Sequence, residues 1–453
     1  MTLKFGTDGV RGHADELDDA FVHALGRAAA AVLGPAGGHR FVIGRDTRES
    51  GPRIERALQA GLVAGGAQVE MLGVVPTPAV AALSAVDGVA AAMISASHNA
   101  FGDNGIKFFA AGGLKLSDAV EAELEAALDG LHEVAPAGMG TFGSPALSTP
   151  LAAIDAAGHV PAYDQLVTGS LGGRRLDGLR VVIDCANGAS SHVAPDLLRA
   201  LGAEVVVLHA APDGRNINEG CGSTHPESLQ TAVVEHGAAI GLAFDGDADR
   251  VLAVDELGHL VDGDHLIALC AIDLRDRGEL VDDTVVVTVM TNLGFRLAMA
   301  ERGIKVVETQ VGDRYVLEAL EAGGYVVGGE QSGHVIFRRI ATTGDGLLTG
   351  VQVLDLLRRS GRPFSELAAG SMTQLPQVLK NVRVAHRDPD VADHIAGAID
   401  AVEAELGSSG RVLVRPSGTE PLVRVMIEAP DAGVADRLAD QLVAAVVEAC
   451  GAA

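Results

Sequence analysis

Short apolar runs alternate along this chain with longer stretches in which apolar side chains recur every three or four positions. HRFVIG (39–44) precedes RIERALQAGLVAGG, QVEMLG (68–73) precedes PAVAALSAV, and VAAAMIS (89–95) follows. Short β-rich runs closed by Gly and Pro read as strands, and the longer stretches carry the helical period. The rhythm restarts at LRVVID (179–184), AEVVVLH (203–209) and AAIGLAF (238–244), and again at TVVVTV (284–289), IKVVET (304–309) and GYVVGG (324–329). Such βαβ alternation predicts α/β units with a mostly parallel or mixed sheet covered by helices. A Pro/Gly/Ser/Thr-rich stretch at 133–150 reads as a linker.

The last part of the chain breaks the rhythm. VLKNVRVAH (378–386), an Ala/Glu-rich helical stretch, RVLVRPSGTEPLVRVMIEA (411–429) and a helix running to Cys450 predict an antiparallel sheet with helices on one face. At 453 residues the chain is too long for one hydrophobic core. The expected architecture is three βα-repeating mixed-sheet domains, 1–150, 151–255 and 256–370, followed by a C-terminal α+β domain, 371–453.

Composition narrows the class. Hydrophobic residues make up 48% but aromatic residues only 3%, with no Trp, so Ala, Val, Leu and Ile must fill the cores. A formal charge of -26 argues against a nucleic-acid partner, because a phosphate backbone needs a basic face. Against so acidic a background, any cluster of Arg and Lys becomes a candidate anion site. The four cysteines form no C-x-x-C pair, so neither a zinc motif nor a disulfide framework is signalled. No apolar run is long enough to span a membrane and MTLKFGTDGVRG lacks a signal-peptide core, so a cytoplasmic protein without a membrane partner is expected.

In open parallel sheets ligands bind beyond the strand C-terminal ends, and here those ends are polar and Gly-rich. FDGDADR places Asp245, Asp247 and Asp249 directly after a strand. In extended chain such alternate carboxylates lie about 6–7 Å apart, and at an effective dielectric of about 20 the trio repels by about 6 kcal/mol. A hard divalent cation, Mg²⁺ above all, would offset that. An EF-hand calcium loop fails because Arg250 stands where the turn needs glycine and the flanks are strands. A solvated acidic turn is the plainer alternative.

Four further stretches carry polar chemistry. RPSGTEPLVRV brackets Ser417, Gly418 and Thr419 with Arg415 and Arg424, a combination that cradles phosphate or carboxylate. GGEQSGH sets Glu330 and Ser332 between glycines at a strand end, an acceptor and a donor suited to a polyol. GTDGVRG (6–12) and GRDTRESG (44–51) add Arg11, Arg45 and Arg48, which read as phosphate-facing beside a metal site. SASHN (95–99) has no G-x-S-x-G elbow, so a hydrolase triad is not indicated. It suits a phosphoryl carrier, with Lys107, Arg11 and Arg250 as charge partners, although spacing alone does not separate Ser95 from Ser97.

Taken in chain order, GTDGVRG, SASHNAFGDNGIKFF, CGSTHPE (221–227), DGDADR, VGDRYVLE (311–318), GEQSGH and RPSGTEPLVRVMIE resemble the α-D-phosphohexomutases over nearly the whole chain, and among them most closely the bacterial phosphoglucosamine mutase branch. That resemblance implies four domains around a central cleft, each contributing one loop. It makes Ser97 the phosphorylated residue, with Mg²⁺ held by Ser97 as phosphoserine, Asp245, Asp247 and Asp249. His98, Lys107, Arg11 and Arg250 would surround the transferring group. Glu330 and Ser332 would contact sugar hydroxyls, and Arg415, Ser417, Gly418, Thr419 and Arg424 the phosphate that is not reacting.

The implied activity interconverts glucosamine 6-phosphate and glucosamine 1-phosphate through a bound glucosamine 1,6-bisphosphate, feeding amino-sugar and cell-wall precursor synthesis. It makes the chain an isomerase that is a monomer or homodimer, with Ser97 first loaded by a kinase or by autophosphorylation. The alternatives are a phosphomannomutase or phosphoglucomutase of the same superfamily, or a non-catalytic sugar-phosphate-binding regulator. One departure stands out: Ala100 follows SASHN where the family usually has Pro. That change predicts a looser loop, by about 0.4–1 kcal/mol of unfolded-state entropy.

Overall fold

The structure is a computed structural model that describes residues 5–6, 9–132, 158–386, 388–416 and 422–451. The linker expected at 133–150 lies outside the described residues. The chain forms two compact units, Met1–Met290 with Ile304–Ser371, and Thr291–Gly303 with Met372–Ala453.

Three mixed sheets organise the first unit. The N-terminal sheet runs Phe5–Gly6, Gly9–His13, Asp103–Ala110, Ala90–Ile94, Arg40–Arg45, Gln68–Val74, with Leu114–Lys115 against Asp103–Ala110. Arg40–Arg45 pairs parallel to both of its neighbours, as the βα rhythm predicts. Asp103–Ala110 is an additional strand, antiparallel to Ala90–Ile94, in a stretch whose Asp, Asn and Gly read as a turn. Its partner AAAMI is buried throughout, so sheet pairing overrides local propensity there. SASHN is therefore part of the loop joining two paired strands, and Lys107 lies opposite Met93 in the ladder.

The second sheet runs Leu260–Val261, Val251–Asp255, Ile240–Phe244, Arg180–Asp184, Glu204–Leu208. Ile240–Phe244 is parallel to Arg180–Asp184 and antiparallel to Val251–Asp255, so 245–250 forms a hairpin turn at the strand end. The third sheet runs Lys305–Thr309, Thr284–Thr288, Val327–Gly329, Val335–Phe337. Helix Gly346–Ser360 starts at Asp345, whose carboxylate accepts the Leu348 N–H at 2.9 Å, and stops at Gly361 with φ 63°.

The second unit has the expected antiparallel sheet, Gln377–Arg383, Leu422–Glu428, Arg411–Pro416, with Leu422–Glu428 central. Helix Ala432–Cys450 buries Ala435, Leu438, Ala439, Leu442 and Val446, an i, i+3, i+4 stripe. Helix Leu293–Glu301 belongs to this unit, although in sequence it continues the βα rhythm. The Asn292 amide holds the Leu375 backbone from both sides, at 3.0 and 3.1 Å, and the Leu293 N–H donates to buried Glu428 at 2.8 Å.

Candidate active site

The loop after Ala90–Ile94 turns back on itself through Ser97, whose φ is 53°. A left-handed conformation costs a non-glycine residue about 1–2 kcal/mol, so neighbours must hold it. Arg48 is the main one. Its guanidinium is fully buried and donates to Asp46 Oδ2 at 2.9 Å and to the carbonyls of Ser97 at 3.1 Å, Asn99 at 2.8 Å, Asp103 at 3.0 Å and Ala100. Asn218 Nδ2 reaches the Ser97 and Asn99 carbonyls at 2.9 and 3.0 Å. This corrects the expectation of a phosphate-facing Arg48, whose guanidinium is spent on backbone carbonyls. Arg45 likewise pairs with Glu55, at 3.1 Å.

The two candidate serines have different surroundings. Ser95 Oγ donates to Asp46 Oδ2 at 2.6 Å and accepts the Ser97 N–H at 2.9 Å, so it braces the loop from inside. Ser97 Oγ donates to Asp245 Oδ2 at 2.5 Å. Gly246 permits that approach, since a Cβ there would lie 2.6 Å from the Ser97 carbonyl oxygen and 2.9 Å from Asn218 Nδ2.

Asp245, Asp247 and Asp249 converge, but not by strand alternation. They lie on the turn after Phe244, with Ala248 at φ 59°, and offer carboxylate oxygens all within 4.8 Å of one another. That is closer than extended chain allows. At an effective dielectric of about 20 the repulsion rises to about 3.5 kcal/mol or more per pair, about 10 in all. Lys107 Nζ bridges Asp247 Oδ2 at 2.9 Å and Asp249 Oδ2 at 3.2 Å, and Thr77 Oγ1 donates to Asp247 Oδ2 at 2.7 Å.

The fit to a divalent cation rests on what is left over. Asp247 Oδ1 and Asp249 Oδ1 are buried without a hydrogen-bond partner among the described residues. An oxygen-only donor set with orphaned carboxylate oxygens suits Mg²⁺. Burial and the neighbouring Asp249 and Asp247 carboxylates push Asp245 well above the usual carboxylate range. Burial opposes ionisation of Asp249 too, yet Lys107, His334 and Arg250 together hold it well below that range.

His98 lies beside Ser97 Oγ, 3.4 Å from Nδ1, and the same nitrogen is 3.0 Å from Arg250 Nη1. A guanidinium only donates, so His98 Nδ1 accepts and the ring proton sits on Nε2. Burial, with Arg250 and then Arg11, pushes His98 down to about 4, which keeps the imidazole neutral. Arg11 is on Gly9–His13, opposite Gly105 in the ladder.

Glu330 follows strand Val327–Gly329 and is oriented by the Gly312 N–H at 3.1 Å. Ser332 Oγ is buried without a hydrogen-bond partner among the described residues, as a group awaiting a ligand would be. This loop adjoins the carboxylate turn: the Val251 N–H donates to the Gly333 carbonyl at 3.1 Å, and buried His334 sits 3.7 Å from Asp249 and 3.2 Å from Asp313.

In the second unit Arg415 stands directly opposite Arg424 in the antiparallel pair. Like charges so placed repel. Burial and then Arg424 lower the Arg415 pKa, and no carboxylate pairs with either among the described residues. Ser417, Gly418 and Thr419 lie outside the described residues.

The first unit thus brings together Ser97, His98, Lys107, Arg250 and the three aspartates. Thr77, Asp46 and Asn218 serve this site without a sequence signal, because each partner is between 49 and 170 positions away.

A hydroxyl set against buried carboxylates and flanked by Lys and Arg, at the strand ends of the first unit's mixed sheets, places the chain in a class. Models of phosphoglucomutase/phosphomannomutase match α/β/α domain I at 2–134, domain II at 165–258, domain III at 262–375 and the C-terminal domain at 379–445. The chain belongs to the phosphoglucomutase/phosphomannomutase family, on its phosphoglucosamine mutase branch. A phosphoglucosamine mutase of Rhodococcus opacus is 54% identical over 98% of this chain and 99% of its own, and one of Frankia alni is 53% identical over 98% of each. Among solved structures, a family protein of Burkholderia thailandensis superposes with TM-score 0.79 at 26% identity, covering 98% of this chain and 97% of that one. Aspergillus fumigatus N-acetylphosphoglucosamine mutase, solved with GlcNAc-6P and magnesium, shares the fold at TM-score 0.70 and 20% identity, covering 99% of this chain and 96% of that one. No helix among the described residues is long and apolar enough to cross a membrane.

Proposed function

We propose that the chain interconverts glucosamine 6-phosphate and glucosamine 1-phosphate, with Ser97 as the phosphoryl carrier. The observation that carries this reading is Ser97 Oγ at 2.5 Å from one of three converging buried carboxylates, with Lys107 bridging the other two. The names of the relatives at 53 and 54% identity support the amino sugar.

In the forward direction the sugar O1 attacks phosphorus of phospho-Ser97, the P–Oγ bond breaks, and the hydroxyl proton is given up as Oγ becomes a serine hydroxyl. The resulting 1,6-bisphosphate turns round, Ser97 Oγ attacks the 6-phosphorus, the P–O6 bond breaks, and O6 gains a proton as the serine hydroxyl gives one up. Asp245, Asp247 and Asp249, with a phosphoserine oxygen, would hold Mg²⁺, which when bound draws charge from the phosphoryl oxygens. Lys107 and Arg250 neutralise the transferring group; positioning and charge supply most of the catalysis. His98 presents Nδ1 to Arg250 and so fixes that guanidinium. Glu330 and Ser332 bind sugar hydroxyls, and Arg415 and Arg424, with 417–419, bind the ester that is not transferred. The domains on this reading are 1–150, 151–255, 256–370 and 371–453.

Phosphopeptide mapping of the purified protein, the Ser97→Ala variant, and relative rates on glucosamine, glucose and mannose 1-phosphates test the reading. One phosphate on Ser97, near-complete loss in Ser97→Ala and preference for the amino sugar are expected. Phosphate on Ser95, full activity in Ser97→Ala, or a preference for mannose 1-phosphate would overturn it.

A further inference from the structure

Beside the carboxylate turn, the same sheet edge carries a second cluster of different chemistry. Asp184 is the last residue of its strand, His209 follows the neighbouring strand Glu204–Leu208, and Cys221 comes in on the loop after Asn218. One atom from each, a carboxylate oxygen, an imidazole nitrogen and the thiol sulfur, lie within 4.8 Å of one another. Arg180–Asp184 and Glu204–Leu208 pair parallel, so the cluster occupies the strand C-terminal ends where open sheets take ligands.

The groups face one another closely. His209 Nδ1 lies 3.0 Å from Asp184 Oδ2, an ion-pair contact that raises the His209 pKa. The Asp184 carboxylate is fully buried and oriented by the Ala186 and Gly222 N–H groups, each at 2.9 Å. Cys221 Sγ takes a long contact, 3.9 Å, from Asn187 Nδ2 and faces the Asn218 backbone. The His209 side chain is 33% exposed, which gives the cluster an opening to solvent.

We propose that Asp184, His209 and Cys221 form a binding site for a borderline divalent cation, Zn²⁺ in type, with a fourth position open to water. Mixed S, N and O donors select Zn²⁺ or Co²⁺, whereas Mg²⁺ takes oxygen alone, so the two clusters on this edge sort cations by donor softness. The 3.0 Å separation of the imidazole nitrogen and carboxylate oxygen would widen to the roughly 3.3 Å edge that ligands at about 2.0 Å make on a tetrahedral ion. The site does not depend on the proposed sugar chemistry. It does adjoin the serine loop, since the segment from His209 to Cys221 carries Asn218, whose amide holds the Ser97 carbonyl at 2.9 Å.

Titration of the whole reduced protein with Co²⁺ in excess Mg²⁺ tests this, because only a thiolate ligand gives the near-ultraviolet sulfur-to-cobalt charge-transfer band. The expected result is that band at one Co²⁺ per chain, bleached by Zn²⁺ and absent from Cys221→Ser. His209→Ala should weaken uptake by at least about tenfold, the loss that even outer-shell changes cause at metal sites. Cys185→Ser, which alters the neighbouring thiol, should keep the band, and circular dichroism identifies variants that fold. No band in the wild-type protein, a band that persists in folded Cys221→Ser, or one that disappears in Cys185→Ser overturns the proposal.

Discussion

Replacing Arg48 by Lys keeps the buried positive charge beside Asp46 while removing the planar fork. The guanidinium serves five acceptors, Asp46 and four loop carbonyls. An ammonium has three N–H groups, so at least two contacts are lost. At about 1.5 kcal/mol for each bond from a charged donor, the clamp weakens by about 3 kcal/mol. That exceeds the cost of about 1–2 kcal/mol of keeping Ser97 left-handed. Asn218 still holds two of the carbonyls, so part of the loss is recovered. The expected outcome for Arg48→Lys is a folded protein whose kcat falls by about 10- to 100-fold, equivalent to about 1.4–2.7 kcal/mol, with KM nearly unchanged. A coupled assay for glucosamine 1-phosphate gives kcat and KM, and intact-mass analysis gives phosphoserine occupancy. Wild-type kcat in a folded Arg48→Lys protein, or a loss confined to KM, would refute the reasoning.

Three other outcomes follow from the geometry. Burial pushes Asp345 up to about 7, so from near pH 4 to about pH 7 the folded chain holds a proton that the unfolded chain has released. Stability from this group therefore falls as pH rises through that window, and Asp345→Asn should flatten the decline between pH 5 and 8; an unchanged slope in melting temperature would remove Asp345 as its source. Arg424→Ala should raise KM for the sugar phosphate by about tenfold or more with little effect on kcat or thermal stability, since on the proposed reading it removes an anion ligand and relieves like-charge repulsion; unchanged steady-state kinetics would count against an anion site there. Chelation of divalent cations should stop turnover and lower the melting temperature, and saturating Mg²⁺ should restore both, because Asp247 and Asp249 then regain partners for their orphaned oxygens; melting indifferent to Mg²⁺ would speak against a cation at the carboxylate turn.

Strands whose both faces are covered were plain in the sequence, because AAAMI, RVVID and TVVVT are continuous apolar runs closed by turn residues. Asp103–Ala110 was not, since its Asp, Asn and Gly mimic a turn and only its partner makes it a strand. The three aspartates were legible as a set, but the means of their convergence was not: a left-handed Ala248 folds the turn more tightly than an extended chain. The charge of Arg48 is legible but its role is not, because in sequence a guanidinium among backbone carbonyls looks like one facing a phosphate. The loop around Ala100 is pinned from the carbonyl side, and Ala100 is itself one of the acceptors.

The backbone at Ser97 also decides which alcohol can stand there. A φ of 53° is tolerable for an unbranched side chain, but it makes a β-branched one a genuine outlier. Threonine carries the same hydroxyl, yet its extra methyl has no comfortable place in this turn. Of the two aliphatic alcohols in the genetic code, the shape of the loop admits only the smaller, and a one-base change that preserves the chemistry would lose the fit.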